Sequence, residues 1–318
     1  RVLFRSFLNM LQLIGWTSIM IYDAMLALQE LAPLSPMIWT IAIGALVILW
    51  LFIGLHNTGY IQAIVSVLLL GLTLYMGAHM ISQWPSEASL LTSGNMSFIA
   101  ALELSIAMPL SWLPLISDYT RESKKPFSAS LTSATVYTVT SIVMYTLGLS
   151  AAIFGGGDSI ITIMMNAGLG LAGLIVIIFS TVTTTFMDAY SAGVSSTTIY
   201  NGASSKGVAV IVTLVGTIAA ILYPMDDITD FLYLIGSVFA PMIAILLADY
   251  FINRQQVQTL SAYLVRGLIW AVSVGLYHYM LHSESTIGAT LPSFTMAFIV
   301  TAIVGFISKT AHISTEIK

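Results

Sequence analysis

The side chains able to do chemistry in this chain are few, and they sit inside apolar runs. Glu103 lies in a membrane-length apolar segment that closes with Ile106-Ala-Met-Pro-Leu-Ser-Trp-Leu-Pro-Leu-Ile-Ser-Asp-Tyr-Thr-Arg121. An acidic side chain at the centre of a membrane helix costs about 2.5–3.5 kcal/mol on insertion scales. Such a group binds a ligand or carries a proton; the alternative is a protonated carboxyl hydrogen-bonded to a neighbouring helix. Pro109 and Pro114 lie in the same segment. Each removes a backbone donor and crowds the carbonyl four residues back. The expectation is an interrupted helix whose freed backbone groups face protein or a wet cavity. Membrane proteins use that device to hold a solute at mid-bilayer.

A second group is Ser180-Thr-Val-Thr-Thr-Thr-Phe-Met-Asp188. Ser180, Thr183 and Thr184 follow i, i+3, i+4 and share a helix face. Clustered oxygens of this kind suit a small hard cation such as Na⁺, provided that carbonyls from an interrupted helix complete the shell. The alternative is that the hydroxyls only bond back to their own helix or join neighbouring helices. Asp188 is the next carboxylate; it lies either within the bilayer or nearer the cytoplasmic end, where water solvates it.

A third pair is Gln12 and Trp16, spaced i, i+4. Counted from the start of the first apolar run, Trp16 stands roughly 18 Å along the helix axis, near the midplane. Membrane tryptophans usually sit at the interface. A central Trp beside an amide suits stacking on a flat heterocycle and reading its edge, with plain helix packing as the alternative. Gly155-Gly-Gly157 lacks the strand-to-helix setting of a phosphate loop and reads as a turn. The five His form no metal-binding pattern.

The elements that carry these residues are membrane spans. The chain has 318 residues, 58% hydrophobic and 8% charged, with a mean hydropathy of +0.94. Soluble proteins carry roughly 25% charged residues. The class is therefore an all-α integral membrane protein. Ten spans are expected, at 4–29, 37–56, 58–81, 97–117, 127–154, 168–193, 207–223, 229–250, 263–281 and 291–308. They form one transmembrane domain. Leu34-Ser-Pro36, His56-Asn-Thr-Gly59, Gly155-Gly-Gly-Asp158 and Pro224-Met-Asp-Asp227 read as turns. The runs are continuous rather than alternating, which excludes a β-barrel. With the N-terminus inside, every Lys and Arg, from Arg1 to Lys318, falls on one side. The opposite loops hold Glu30, Glu87, Asp158, Asp226, Asp227, Asp230 and Glu284. The positive-inside rule makes the basic side cytoplasmic and places both ends of the chain there.

Net charge −4 gives no reason to expect a nucleic-acid partner, and the absence of cysteine excludes disulfides and thiol chemistry. No catalytic pair stands at fixed spacing on a span, so an enzyme is not expected. Repeated pore-lining rings, the mark of a channel, are missing. Nothing in the sequence sets an oligomeric state.

Ser111-Trp-Leu-Pro-Leu-Ile-Ser-Asp-Tyr-Thr-Arg121 resembles the signature of the nucleobase–cation symporter-one family, the purine–cytosine permease group. Pro241-Met-Ile-Ala-Ile-Leu-Leu-Ala-Asp-Tyr-Phe251 resembles its later Ala-Asp-Tyr-Phe motif. Ile106 to Arg121 together with Thr183 to Gly193 is most similar to the hydroxymethylpyrimidine-transporter (CytX-type) branch. The resemblance implies a LeuT-like fold of twelve helices, ten of them in two inverted repeats. In the family the interrupted helix is the sixth, whereas here it is the fourth. The chain is therefore expected to lack the first two family helices, and its start at Arg1 rather than Met agrees with that.

The resemblance further implies substrate contacts at Trp16, at Ser111 with Trp112 beside it, and at Asp188 or Ala189. It implies a cation site at Ser180, Thr183 and Thr184. Gln12 and Glu103 join the substrate set from the residue reading alone. An aminopyrimidine presents a ring-nitrogen acceptor beside an amino donor, and a protonated carboxyl pairs with both. The implied activity is import of hydroxymethylpyrimidine, a thiamine precursor, across the cytoplasmic membrane with Na⁺ or H⁺ as coupling ion and no cofactor. The alternatives are a cytosine or other nucleobase permease and an inactive truncated form.

Overall fold

A computed structural model describes residues 2–31, 33–53, 55–82, 96–120, 123–154, 162, 164–165, 168–254, 259–283 and 286–316. The helices are α1 (Val2–Leu31), α2 (Pro36–Ile53), α3 (Leu55–Ser82), α4 (Phe98–Thr120), α5 (Pro126–Phe154), α6 (Gly170–Ile199), α7 (Ser205–Leu222), α8 (Ile228–Leu247), α9 (Leu260–His282) and α10 (Thr290–Glu316). Among the described residues, these ten are long and apolar enough to cross a membrane, with mean hydropathy of 1.2–2.3. The protein is all-α and multi-pass. Local chemistry fixes the helix starts. Pro36 and Pro126 occupy first helical positions, where a missing N–H costs nothing. Ser204, Asp227 and Thr259 cap α7, α8 and α9 by accepting the backbone N–H three residues on.

The structure corrects three expectations. First, α4 runs unbroken through Pro109 and Pro114. Each proline deletes only one backbone bond, and the turns between remain paired, so the segment stays helical despite a cost of about 3 kcal/mol per proline. Second, His56 to Gly59 lies inside the first turns of α3 rather than in a turn. Third, α6 runs on to Ile199 instead of ending near Gly193. There the Ser196 and Thr197 hydroxyls donate to the carbonyls of Gly193 and Val194. They stay satisfied inside the helix rather than pulling it apart. The turn at Gly155 to Asp158 lies outside the described residues, as do Trp84, Glu87 and Glu284.

The chain divides into two compact units. One comprises Val2–Ser93 with Ile116–Asp226, the other Gly94–Leu115 with Asp227–Lys318. In the first, α1 is the central helix: 56% of its apolar window is buried, against 0% for α5. Ile21, Ala24, Ala27 and Leu28 of α1 pack with Ile43, Met76, Leu174 and Ala220. Lipid is as apolar as these side chains, so close packing rather than the hydrophobic effect holds them. Gly216 of α7 is one such approach, because a Cβ there would press on Thr17 of α1.

In the second unit α8 is the core helix, and Ala244 and Ile245 pack with Ile269 and Ala297. Trp270 Nε1 donates to the Val238 carbonyl at 2.9 Å. α8 ends in a π-helical turn, Ala248–Asn253, closed by Arg254 in the left-handed region at φ 49°. This turn is the Ala-Asp-Tyr-Phe motif. It aims Asp249 at Arg266 of α9 in a two-pronged ion pair, with Nη2 to Oδ1 at 2.9 Å and Nε to Oδ2 at 3.0 Å. Asn253 Nδ2 donates to Asp249 Oδ1 and to the Thr301 carbonyl of α10. The motif thus ties three helices together.

Candidate substrate seam between two helices

The first unit holds Gln12, Trp16, Ser180, Thr183, Thr184 and Asp188; the second holds Glu103, Ser111 and Trp112. α1 and α6 are antiparallel. Asn9, early in α1, donates from Nδ2 to Ser195 Oγ, late in α6, at 3.0 Å. At the other end, Ala24 to Leu28 meet Leu174, Ile177 and Ile178. Gln12 Nε2 donates to Asn9 Oδ1 at 2.7 Å, so a chain of side-chain amides crosses the seam. Asn9 is 2% exposed and Gln12 5%. Gln12 is thus engaged inside the α1–α6 contact, not presented as an open edge-reading amide.

The same bond sets the register of the pair. Trp16 stands seven residues beyond Asn9, and Asp188 seven residues before Ser195. Seven residues advance about 10.5 Å and fall roughly 20° short of two full turns. Trp16 and Asp188 therefore share one level and leave their helices near the seam face. Both are partly exposed, whereas the Asn9–Gln12 level is sealed. No hydrogen bond or ion pair reaches the Asp188 carboxylate among the described residues. An aromatic pair flanks it: the Phe186 and Tyr190 rings stack with centroids 6.1 Å apart.

Nearer the start of α6, the Ser180 carbonyl accepts from Thr183 Oγ1 at 3.0 Å and Thr184 Oγ1 at 2.9 Å. Three oxygens thus gather within one turn, with Thr183 buried at 3% and Thr184 exposed. The hydroxyl oxygens keep lone pairs, but both hydrogens point at the carbonyl. A full cation shell needs further oxygens beyond this turn. Among the described residues, no three His, Asp or Glu side chains gather as metal ligands.

In the second unit Ser111 is buried and its hydroxyl donates to the Met108 carbonyl at 2.7 Å, while Trp112 is 43% exposed. Glu103 departs from the expected substrate role. Its Oε1 accepts the N–H groups of Ala289 and Thr290, both at 3.1 Å. Its Oε2 accepts the Thr290 N–H at 3.0 Å and the Thr290 hydroxyl. The carboxylate caps the start of α10, where unpaired N–H groups and the helix dipole favour an anion. Donors already occupy both oxygens, which leaves little capacity for a substrate amide. Gly288 makes room: it has φ +75°, and a Cβ there would strike Glu103 Oε1.

Sequence reasoning missed Asn9, Ser195 and Tyr190. Asn9 lies three residues before Gln12, an i, i+3 signal that could have found it. The Glu103 partner lies 187 residues away, and no local pattern points to it.

A family model described as permease for cytosine/purines, uracil, thiamine, allantoin matches residues 6–316. The chain belongs to this permease family. It is also similar to the cytosine permease of Escherichia coli (strain K12), with 25% identity over 185 residues, 57% of this chain and 44% of that protein. The cytosine permeases of E. coli O6:H1 and O157:H7 match to the same extent. The match therefore spans less than half the length of these curated relatives. The ten-span, all-α architecture fits the LeuT-like fold of the family.

Proposed function

We propose that this permease imports an aminopyrimidine, with hydroxymethylpyrimidine as the leading candidate, across the cytoplasmic membrane by cation symport. Both chain termini face the cytoplasm in this reading, as the one-sided Lys and Arg placement requires. The observation that carries it is the shared level of Trp16 and the Asp188 carboxylate, unpaired among the described residues, on the α1–α6 seam. An ionised carboxylate within a span costs about 2.5–3.5 kcal/mol. A proton, a cation or the amino edge of a substrate offsets that cost. A ring stacked on Trp16 lies at the right level to give its amino and ring-nitrogen edge to Asp188. When Asp188 is ionised, the ring-protonated form binds as a charge-assisted pair.

Coupling follows from the same helix. Ser180, Thr183 and Thr184 offer three oxygens on the same helix, four to eight residues before Asp188. A cation held there lowers the cost of the Asp188 charge, so cation and substrate favour each other's binding. Import then needs only that the seam opens to one side at a time. Ser111 and Trp112 of α4 are further candidate contacts. Cytosine is the second reading, favoured by the cytosine permeases among the relatives. It has the same amino edge but lacks the hydroxymethyl group. Uptake of labelled hydroxymethylpyrimidine in competition with cytosine and uracil tests this. Hydroxymethylpyrimidine should compete best and uracil worst. Indifference to all three would sink the proposal.

A further inference from the structure

The bonds of Glu103 raise a separate question, because they tie the exposed start of α4 to another helix. Among the described residues, no other helix packs broadly against α4. Phe98 and Leu102 are exposed. A cavity of about 530 Å³ borders its start, lined in part by Ile99, Ala100, Glu103, Tyr233, Met280 and Gly288. The first turns of α4 thus have open space on one side, while Ala107 further along is buried. Glu103 ties this end to the start of α10 through its bonds to Ala289 and Thr290. Pro109 and Pro114 each delete a backbone bond, so α4 bends most easily there.

We infer that Glu103 is a positioning residue: it latches the N-terminal half of α4 to the start of α10, and the two prolines form the joint about which that half moves when released. The inference goes beyond the transport reading and is tested by distance, so it fails separately from that reading. The chain has no cysteine, so labels can be placed at will. Phe98→Cys and Leu291→Cys, both exposed, take nitroxide labels on the full chain in lipid nanodiscs. Electron paramagnetic resonance then reads the distance distribution between the starts of α4 and α10.

The parent pair should give one narrow distribution. Glu103→Gln puts an NH₂ donor against backbone donors and should shift the latched-to-released ratio on the order of tenfold. The distribution then broadens. Gly288→Ala, which crowds the carboxylate, should do the same. Thr290→Val should broaden it less, and Thr290→Ser should restore it; this pair decides the matter if Glu103→Gln does not fold. In uptake assays, Glu103→Gln should lower Vmax while leaving the affinity ratio of cytosine to uracil unchanged. An unbroadened distribution in Glu103→Gln and Gly288→Ala would overturn the latch. So would an altered cytosine-to-uracil ratio, which would put Glu103 back at the substrate.

Discussion

Breaking the Asp249–Arg266 pair should be the most damaging single change to the stability of the second unit. Asp249 is 2% exposed and Arg266 11%, and two bonds of 2.9 and 3.0 Å join them. Charge-assisted bonds contribute about 1.5–3 kcal/mol each. Removing one partner of a buried pair costs about 3–5 kcal/mol, because the other charge stays buried. Arg266→Met keeps the apolar stem and leaves Asp249 with Asn253 among its remaining partners. The pair lies at the end of its span, where some water can reach, so the loss should be about 3 kcal/mol, the low end of that range. Arg266→Lys keeps the charge but loses the fork and should cost roughly half as much. The double variant Asp249→Leu/Arg266→Met removes both charges. It should lose much less than the sum of the single changes, with a coupling energy of about 2–3 kcal/mol. Reversible unfolding by steric trapping in bicelles reads these values. If Arg266→Met costs under about 1 kcal/mol, or if the single losses simply add, the pair is solvated and this reasoning fails.

Three further outcomes are expected. Trp16→Ala should weaken every flat heterocycle together, by about 1–3 kcal/mol on the scale of base–aromatic stacking; competition binding that shows a loss for one ring only would contradict stacking. Thr183→Val keeps the shape of a buried side chain but removes an oxygen, and should raise the Na⁺ concentration needed for half-maximal uptake. If uptake ignores Na⁺ before mutation, coupling passes to a proton on Asp188. Membrane-impermeant maleimide applied to intact cells should label Asp226→Cys and spare Lys125→Cys, and the reverse pattern would invert the proposed topology.

Much of the fold was legible because length and hydropathy alone decide whether a run crosses a bilayer. The ten helices begin within a few residues of the expected spans for that reason. The ends were harder. α6 outruns its expected end because Ser196 and Thr197 satisfy their hydroxyls on their own helix, and periodicity does not reveal that. α4 looked broken because proline was weighed by its local cost; the paired turns around each proline outweigh it. At the site, Trp16 and Asp188 were visible as unusual residue types, yet their common level depends on the Asn9–Ser195 register, which only the packed pair supplies. Glu103 was conspicuous for its burial cost, but its partner is the start of α10. A costly intramembrane carboxylate signals that some partner exists without saying whether that partner is a ligand or a helix end. The Ala-Asp-Tyr-Phe run stood out as a motif, and its chemistry became clear only once Arg266 was seen opposite Asp249.

The central claim is that Asp188, level with Trp16, reads the amino edge of the substrate. The direct measurement is competition binding of cytosine and uracil to the unmutated protein and to Asp188→Asn in nanodiscs. The carboxylate accepts from an amino group, or binds the ring-protonated form, whereas an amide presents a donor as well. Loss of one such buried partner costs about 1–3 kcal/mol, or roughly ten- to hundred-fold in affinity. The account predicts that Asp188→Asn loses that much for cytosine and far less for uracil, so that the preference for the amino ring collapses. Equal losses for the two ligands, or none, would contradict it.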